Sequence, residues 1–243
     1  MITLPKNKPK EFNKTPRIFF IWGESMSGKT YLARQFPNPI LLNTDGNSDK
    51  VDTPSVEIKN FIQFTEIIDI IGKGNHSFET ILIDLIDDID TMLINYICNK
   101  NNVESLADIP YGKGFSMYNG MWKNLMMMLS KMKYNIIFIS HIIEKIENNN
   151  SIFYPALPQK PLNICLGRCD LQIQTKKLGT TYMKIITNKR DRYVQEDIKN
   201  ITIAKALEGT IGLFDKTTVP TKTNNIITPN NNKINIKNEG NDK

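Results

Sequence analysis

The sequence contains few cysteines and no long apolar run, and both absences narrow the class of protein. Its 243 residues include three cysteines, which cannot pair fully into the disulfide framework of a small secreted protein. No apolar run approaches the roughly 20 residues that a membrane-spanning helix needs. Residues 1–8 also lack the apolar core of a secretory signal. We therefore expect a globular protein of the reducing cytoplasm.

The net charge is +6, and the excess positive charge lies at the two ends of the sequence. Residues 1–17 contain five Lys and Arg side chains against one Glu, and residues 216–243 contain five Lys against two acidic side chains. The part between them is close to neutral, so its charge does not identify a partner. We predict a flexible basic arm over residues 1–16, one domain over residues 17–207, and a disordered Asn-, Lys- and Thr-rich tail over residues 208–243.

A glycine-rich stretch is the most informative feature of the sequence. It fits the pattern G-x-x-x-x-G-K-[ST] and consists of Gly23, Glu24, Ser25, Met26, Ser27, Gly28, Lys29 and Thr30. Residues 17–22 before it are apolar enough for a buried strand, and residues 31–36 after it can form a helix. In this context backbone N–H groups surround a phosphate, the lysine reaches the β- and γ-phosphates, and the threonine hydroxyl binds Mg²⁺. The stretch therefore predicts a nucleotide site with ATP and Mg²⁺ as cofactors.

Apolar runs alternate with amphipathic runs, which predicts a doubly wound, mainly parallel α/β sheet. The predicted strands cover residues 17–22, 40–44, 80–84 and 136–141, and the predicted helices cover 61–71, 86–98 and 117–133. Residues 142–170 contain prolines and asparagine clusters, so we predict a long, partly mobile loop there. Residues 171–175 and 182–187 alternate like the strands of a C-terminal hairpin. The ligand site of such a sheet lies at the carboxyl ends of its strands.

Asp84 follows four apolar residues, as a Walker B carboxylate does. Such an aspartate holds Mg²⁺ opposite the threonine of the phosphate loop, so Thr30 and Asp84 are the predicted metal ligands. Leu85 comes next, where many AAA+ motors have a glutamate, so another acid must orient the attacking water. Asp45, after the second strand, is the first candidate, and Glu24 is the second. A simple turn residue is the alternative interpretation of Asp45.

The order of these motifs resembles the RecA-type ATPase core and, more narrowly, the phage AAA-domain nucleotide-binding proteins, which are Sak-type recombinases. The resemblance covers residues 16–195 and rests on residues 23–30, 43–46, 83–84, 111–114 and 139–141. It implies an ATPase that binds single-stranded DNA, assembles on it as a homo-oligomer and promotes phage DNA recombination or annealing. The location would then be the host cytoplasm. We also consider the tail as a recruitment site for a single-strand-binding protein.

The same resemblance implies roles for individual polar residues. Asp45 lies where RecA-like proteins have the water-activating acid, and His141 matches the sensor that links the γ-phosphate to the next DNA-binding loop. A satisfied histidine at a strand end is the alternative for His141. Lys189 and Arg190 match cations that reach the nucleotide of a neighbouring subunit, where they stabilise transition-state charge.

Two segments match the loops that such proteins turn toward DNA. They are residues 99–115 and 142–170, and their basic residues Lys113 and Arg168 are the candidate phosphate contacts.

Other functions compete with the recombinase interpretation. Residues 188–191 read N-K-x-D, the guanine-binding motif of GTPases, although residues 84–87 lack the glycine that a GTPase has there. A GTPase-like switch therefore remains an alternative. A nucleotide-gated regulatory or interaction module and a small-molecule kinase also remain open, because the phosphate loop does not identify what hydrolysis drives or which group accepts phosphate.

Overall fold

The computed structural model describes residues 13–46, 50–147 and 150–215, together with residues 4 and 7. Its strands are β1 (Ile18–Gly23), β2 (Pro39–Asn43), β3 (Ser55–Glu57), β4 (Thr80–Asp84), β5 (Asn135–Ser140), β6 (Ile142–Glu147), β7 (Asn150–Pro155), β8 (Leu171–Leu178) and β9 (Thr181–Lys189). Its helices are α1 (Lys29–Ala33), α2 (Phe61–Gly72), α3 (Ile86–Asn101), α4 (Lys113–Lys131), α5 (Gln159–Leu166) and α6 (Ile201–Ala206). Most of the predicted basic arm and residues 216–243 of the predicted tail lie outside the described residues.

Seven strands form one sheet in the order β3-β2-β4-β5-β1-β8-β9, and only β9 runs antiparallel to its neighbour. One face of the sheet packs against α2, α3, α4 and α5, and the other packs against α1 and α6. The arrangement confirms the predicted α/β class and is a RecA-like P-loop fold. No helix in the described part of the chain is long and apolar enough to cross a membrane.

The central strands are buried along their whole length, which explains why their sequences are continuous apolar runs. All six residues of β1 and all five of β4 are buried. Helices cover both faces of a parallel sheet, so each strand needs apolar side chains on both sides. The four strands predicted from these runs are confirmed, each within one residue at either end. The helix predicted after Asn60 is also confirmed, and the Asn60 side chain accepts a hydrogen bond from the Gln63 N–H.

Residues 142–170 are not the long loop that the sequence predicted. They form the hairpin β6–β7, followed by α5, and the hairpin is a two-stranded sheet of its own. The prolines do not interrupt these elements because they lie at their ends. Pro155 is the last residue of β7, Pro158 precedes α5, and Pro161 lies in its first turn. The N–H groups of a first helical turn have no partner within the helix, so proline is tolerated there.

Residues 208–215 belong to the folded body rather than to the predicted tail. The Ile211 N–H donates to the Lys184 carbonyl, and the Ile211 carbonyl accepts from the Ile186 N–H, both at 2.9 Å. Leu213 is buried in the apolar layer beneath α6. At the other end of the chain, the Thr15 hydroxyl donates to the Asp197 carbonyl at 3.0 Å, so the last residues of the predicted arm also contact the body.

Candidate functional site

The phosphate loop connects β1 to α1 and has the backbone conformation that its glycines permit. Gly28 precedes α1 with φ of 91°, a value that favours glycine. A Cβ atom on Gly23 would lie 2.3 Å from the Thr175 carbonyl oxygen, so β8 leaves room only for glycine at this position. The Lys29 ammonium donates to the carbonyls of Gly23 at 3.0 Å and Glu24 at 2.8 Å. The lysine thus spans the concave side of the loop, where a phosphate would sit.

The loop is fastened to the neighbouring strand at one point. The hydroxyls of Ser27 and Thr175 form a buried hydrogen bond of 2.7 Å. Glu24, Ser25 and Met26, at the tip of the loop, are exposed. Burial lowers the pKa of Lys29, and the charges of nearby acids, Asp84 foremost, oppose that effect.

Thr30 and Asp84, the two predicted metal ligands, are in direct contact. The Thr30 hydroxyl donates to Oδ2 of Asp84 at 2.6 Å. Burial raises the pKa of Asp84 to about 6, and the Thr30 hydrogen bond partly opposes the rise. Hydroxyl and carboxylate oxygens suit Mg²⁺. No group of three or more His, Cys, Asp or Glu side chains among the described residues could hold a metal, so phosphate oxygens and water would have to complete the coordination.

Asp45 lies beside this pair, just beyond the end of β2. Its backbone N–H donates to Oδ1 of Asn43 at 3.1 Å, and the residue is exposed. Its negative charge contributes to the raised pKa of Asp84 and also acts on His141. The Thr44 hydroxyl, in contrast, donates to Oδ2 of Asp88 at 2.6 Å and therefore supports the loop. Asp45 is therefore close enough to Asp84 and His141 for its charge to act on both.

His141 is held next to the site by a residue that the sequence analysis did not assign. Its backbone N–H donates to Oδ2 of Asp87 at 2.7 Å, and the Ser140 hydroxyl donates to Oδ1 of the same carboxylate at 2.7 Å. Burial raises the pKa of Asp87 to about 6 and, together with the charge of Lys29, lowers the pKa of the His141 imidazole. Asp87 and Asp88 lie in the first turn of the helix that follows Asp84. Their position so soon after the Walker B aspartate is the feature of the sequence that could have identified them as site residues.

Lys189 and Arg190 lie at the end of the sheet opposite the phosphate loop. Gly23 pairs with Thr175 near the end of β8, whereas Lys189 pairs with Leu171 at its start. The antiparallel course of β9 carries the N-K-x-D segment away from the loop. This position does not support the GTP-binding alternative, because the segment and the phosphate loop lie at opposite ends of β8. A role across a subunit interface stays a prediction.

Both cations are engaged within the chain. The Lys189 ammonium donates to Oδ1 of Asp215 at 2.8 Å and to the Leu213 carbonyl at 3.1 Å. Arg190 donates to the carbonyls of Gly167 and Cys169. Lys189 or Arg190 would have to give up these contacts to act on the nucleotide of a neighbouring subunit.

Arg168, expected on a DNA-facing loop, is near the C-terminal end of α4 instead. Its Nη1 donates to the Ser130 hydroxyl at 3.1 Å, at the end of the sheet where β5 begins. It is therefore remote from the β6–β7 hairpin.

A known protein family matches most of the chain. The family described as "AAA domain" matches residues 15–205. This range begins before β1 and ends within α6, so it contains the phosphate loop, Asp84, His141 and the β8–β9 hairpin. No curated protein matches the chain.

Proposed function

Because the chain belongs to the AAA-domain family, a family of nucleotide-binding P-loop domains, we propose that it is a Mg²⁺-dependent ATPase of RecA type. We further propose that it binds single-stranded DNA and promotes phage DNA recombination or annealing. The contact between Thr30 and Asp84 at the mouth of the phosphate loop is the observation that carries the proposal. It brings together the hydroxyl and the carboxylate that a nucleotide-bound Mg²⁺ requires.

A bound nucleotide would replace some of the contacts that the chain makes with itself. The Lys29 ammonium now donates to two backbone carbonyls, and charged phosphate oxygens are stronger acceptors for it. Asp84 has a raised pKa because its charge is buried beside other acids. A bound Mg²⁺ would supply the positive charge that stabilises the carboxylate and the phosphates together. Thr30 and Asp84 would hold it.

Asp45 is the residue that we assign to proton removal from the attacking water. Its carboxylate is exposed beside Asp84 and His141 at the carboxyl ends of β2, β4 and β5, where the γ-phosphate of a ligand bound by the loop would point. Glu24, at the exposed tip of the loop, is the second candidate.

The proposed DNA surface begins at the same end of the sheet as the nucleotide site. The hairpin β6–β7 starts directly after His141, whose N–H is bound by Asp87 at the start of α3. One turn further on, Asp90 accepts hydrogen bonds from the Tyr118 hydroxyl and from Trp122 Nε1, the latter at 2.8 Å. The N-terminal half of α4 is therefore fixed beside the start of α3.

Two aromatic rings paired with lysines, the exposed Tyr111 and the half-buried Tyr154, support nucleic-acid binding at this end. Tyr111 is 96% exposed, and the Lys113 ammonium lies 6.0 Å from its ring centroid. In the hairpin, the Lys145 ammonium lies 5.2 Å from the Tyr154 ring, and Phe153 is exposed. Single-strand-binding proteins combine such rings, on which bases stack, with cations that contact phosphates. Both elements fall within the two segments that the sequence analysis assigned to DNA.

We propose further that the protein assembles on DNA as a homo-oligomer, with Lys189 or Arg190 acting on the nucleotide of a neighbouring subunit. The tail, with its many lysines, is the proposed site for a single-strand-binding protein. Experiments with the assembled protein test both points.

ATP turnover, measured with and without oligo(dT), tests the proposal. We expect Mg²⁺-dependent turnover that DNA stimulates, and we expect Lys29→Ala to abolish it while the fold is retained. Lys113→Ala should weaken DNA binding. It should also reduce the slope of the logarithm of DNA affinity against the logarithm of salt concentration by about one, the value for one lost phosphate contact. Lys73→Ala removes an exposed lysine at the C-terminal end of α2 and is the matched control, which should bind DNA like the wild type.

Two outcomes would contradict different parts of the proposal. Wild-type turnover by Lys29→Ala would show that the site is wrong. Turnover that DNA leaves unchanged, together with no DNA binding, would instead favour the nucleotide-gated interaction module.

A further inference from the structure

The β8–β9 hairpin places one exposed aromatic ring directly against the phosphate loop. A Cβ atom added to Gly28 would lie 3.3 Å from Cδ1 and 3.8 Å from Cε1 of Tyr182. The edge of the ring therefore packs against the last residue of the loop before α1. Tyr182 is nevertheless 57% exposed, so more than half of the residue's surface is accessible to solvent.

The register of the hairpin explains why Tyr182 faces the loop. Tyr182 pairs with Lys177 across the hairpin, two positions beyond the pair of Thr175 and Lys184. Cross-strand partners and positions two apart share one face of a sheet. Thr175 on that face bonds to Ser27 of the loop, so Tyr182 continues the same face beyond the edge of the sheet. Leu178, also exposed, falls on the other face.

A cation covers one side of the ring. The Lys177 ammonium lies 5.1 Å from the Tyr182 ring centroid. With one edge against Gly28 and one face under Lys177, the second face of the ring remains available to a planar ligand. An exposed aromatic face next to a phosphate-binding loop favours a ligand that has both a phosphate chain and a flat ring.

We infer that Tyr182 is the base platform of the nucleotide site, on which the purine ring of the bound nucleoside triphosphate stacks. This inference rests on the proposed nucleotide site and adds to it where the base lies. The loop binds the phosphates on its concave side, so the nucleoside must extend outward from the loop. Tyr182 lies beside Gly28, the last residue of the loop. Stacking uses the π face that all bases have, so adenine and guanine are both accepted.

Comparison of two ligands, Mg²⁺–ATP and Mg²⁺–tripolyphosphate, tests the inference, because only ATP has a base. We expect Tyr182→Ala to weaken ATP binding about tenfold and to leave tripolyphosphate affinity unchanged. Tyr182→Phe keeps the ring and should bind ATP like the wild type. Leu178→Ala, which removes an exposed side chain from the opposite face of the same hairpin, is the matched control and should bind both ligands normally.

The possible failures are distinguishable. Equal weakening of both ligands by Tyr182→Ala would mean that the ring only supports the loop, and the inference would be wrong. The inference would also be wrong if Tyr31→Ala, which removes an exposed ring from α1, weakened ATP binding without weakening tripolyphosphate binding while Tyr182→Ala did not. Wild-type protein that binds neither ligand would refute the proposed nucleotide site itself.

Discussion

We expect Asp84→Asn to stabilise the ligand-free protein and to abolish Mg²⁺-dependent turnover. The pKa of Asp84 rises from 3.8 to about 6 in the fold, chiefly because its charge is buried. Each pKa unit corresponds to about 1.4 kcal/mol, so keeping this carboxylate ionised lowers the free energy of unfolding by about 3 kcal/mol at pH 8. Asparagine retains an acceptor for the Thr30 hydroxyl but adds N–H donors, whose burial costs about 1 kcal/mol or more. The expected net gain is about 1 to 2 kcal/mol.

The pH dependence gives the sign of the effect. The folded-state pKa lies above the unfolded value, so the wild-type protein loses stability as the pH rises from about 4 to about 6. The variant lacks this contribution from Asp84, although Asp87, whose pKa is also raised to about 6, still contributes. The difference in stability between variant and wild type should therefore be small near pH 4 and full by pH 8.

Urea unfolding in EDTA at several pH values measures this difference, and Mg²⁺–ATP added at pH 8 should raise the stability of the wild type alone. A variant that is less stable than the wild type at pH 8, or a difference that does not change with pH, would refute the reasoning. Either result would mean that the buried charge of Asp84 is already compensated within the ligand-free chain.

Three further predictions concern the other residues of the site. Asp45→Asn should retain Mg²⁺–ATP binding and slow turnover by about 10²-fold or more, as expected for loss of a general base, whereas Glu24→Gln should slow it less; the reverse ranking would move the role to Glu24. Arg190→Ala should leave the ATP affinity of dilute protein unchanged and remove DNA-stimulated turnover, and mixing it with Lys29→Ala should partly restore activity; no restoration would contradict a trans role. Asp87→Ala removes the acceptor of the His141 N–H and should increase hydrogen exchange in the β6–β7 hairpin while ATP affinity stays unchanged; unchanged exchange would exclude Asp87 as the link between site and hairpin.

The parts of the fold that the sequence predicted are those whose signal is local. The β1 and β4 strands are buried on both faces, so continuous apolar runs identify them, and a glycine pattern of fixed spacing identifies the phosphate loop. Thr30 and Asp84 are in contact, as their positions after parallel strands lead one to expect, because parallel strands end at the same end of a sheet.

The parts that were missed depend on contacts between distant segments. The β6–β7 hairpin is formed by cross-strand pairs, and its apolar residues occur on both faces, so no period-2 pattern marked it. The contact of Asp87 with Ser140 joins residues 53 positions apart. The position of Lys189 could have been deduced from the predicted hairpin. Its second strand runs antiparallel to the first, so it returns the chain to the end of the sheet opposite the phosphate loop.

The chain segment that binds Lys189 determines where the protein can be shortened. Cutting after residue 207 would remove Leu213 from its apolar layer and Asp215 from the lysine, and would expose the backbone of Ile186, which now donates to Ile211. A polypeptide ending just after residue 215 keeps all three contacts. Expression trials that aim at crystals should therefore compare these two end points, and a reporter domain should be joined beyond residue 215, where it leaves this edge of the sheet covered.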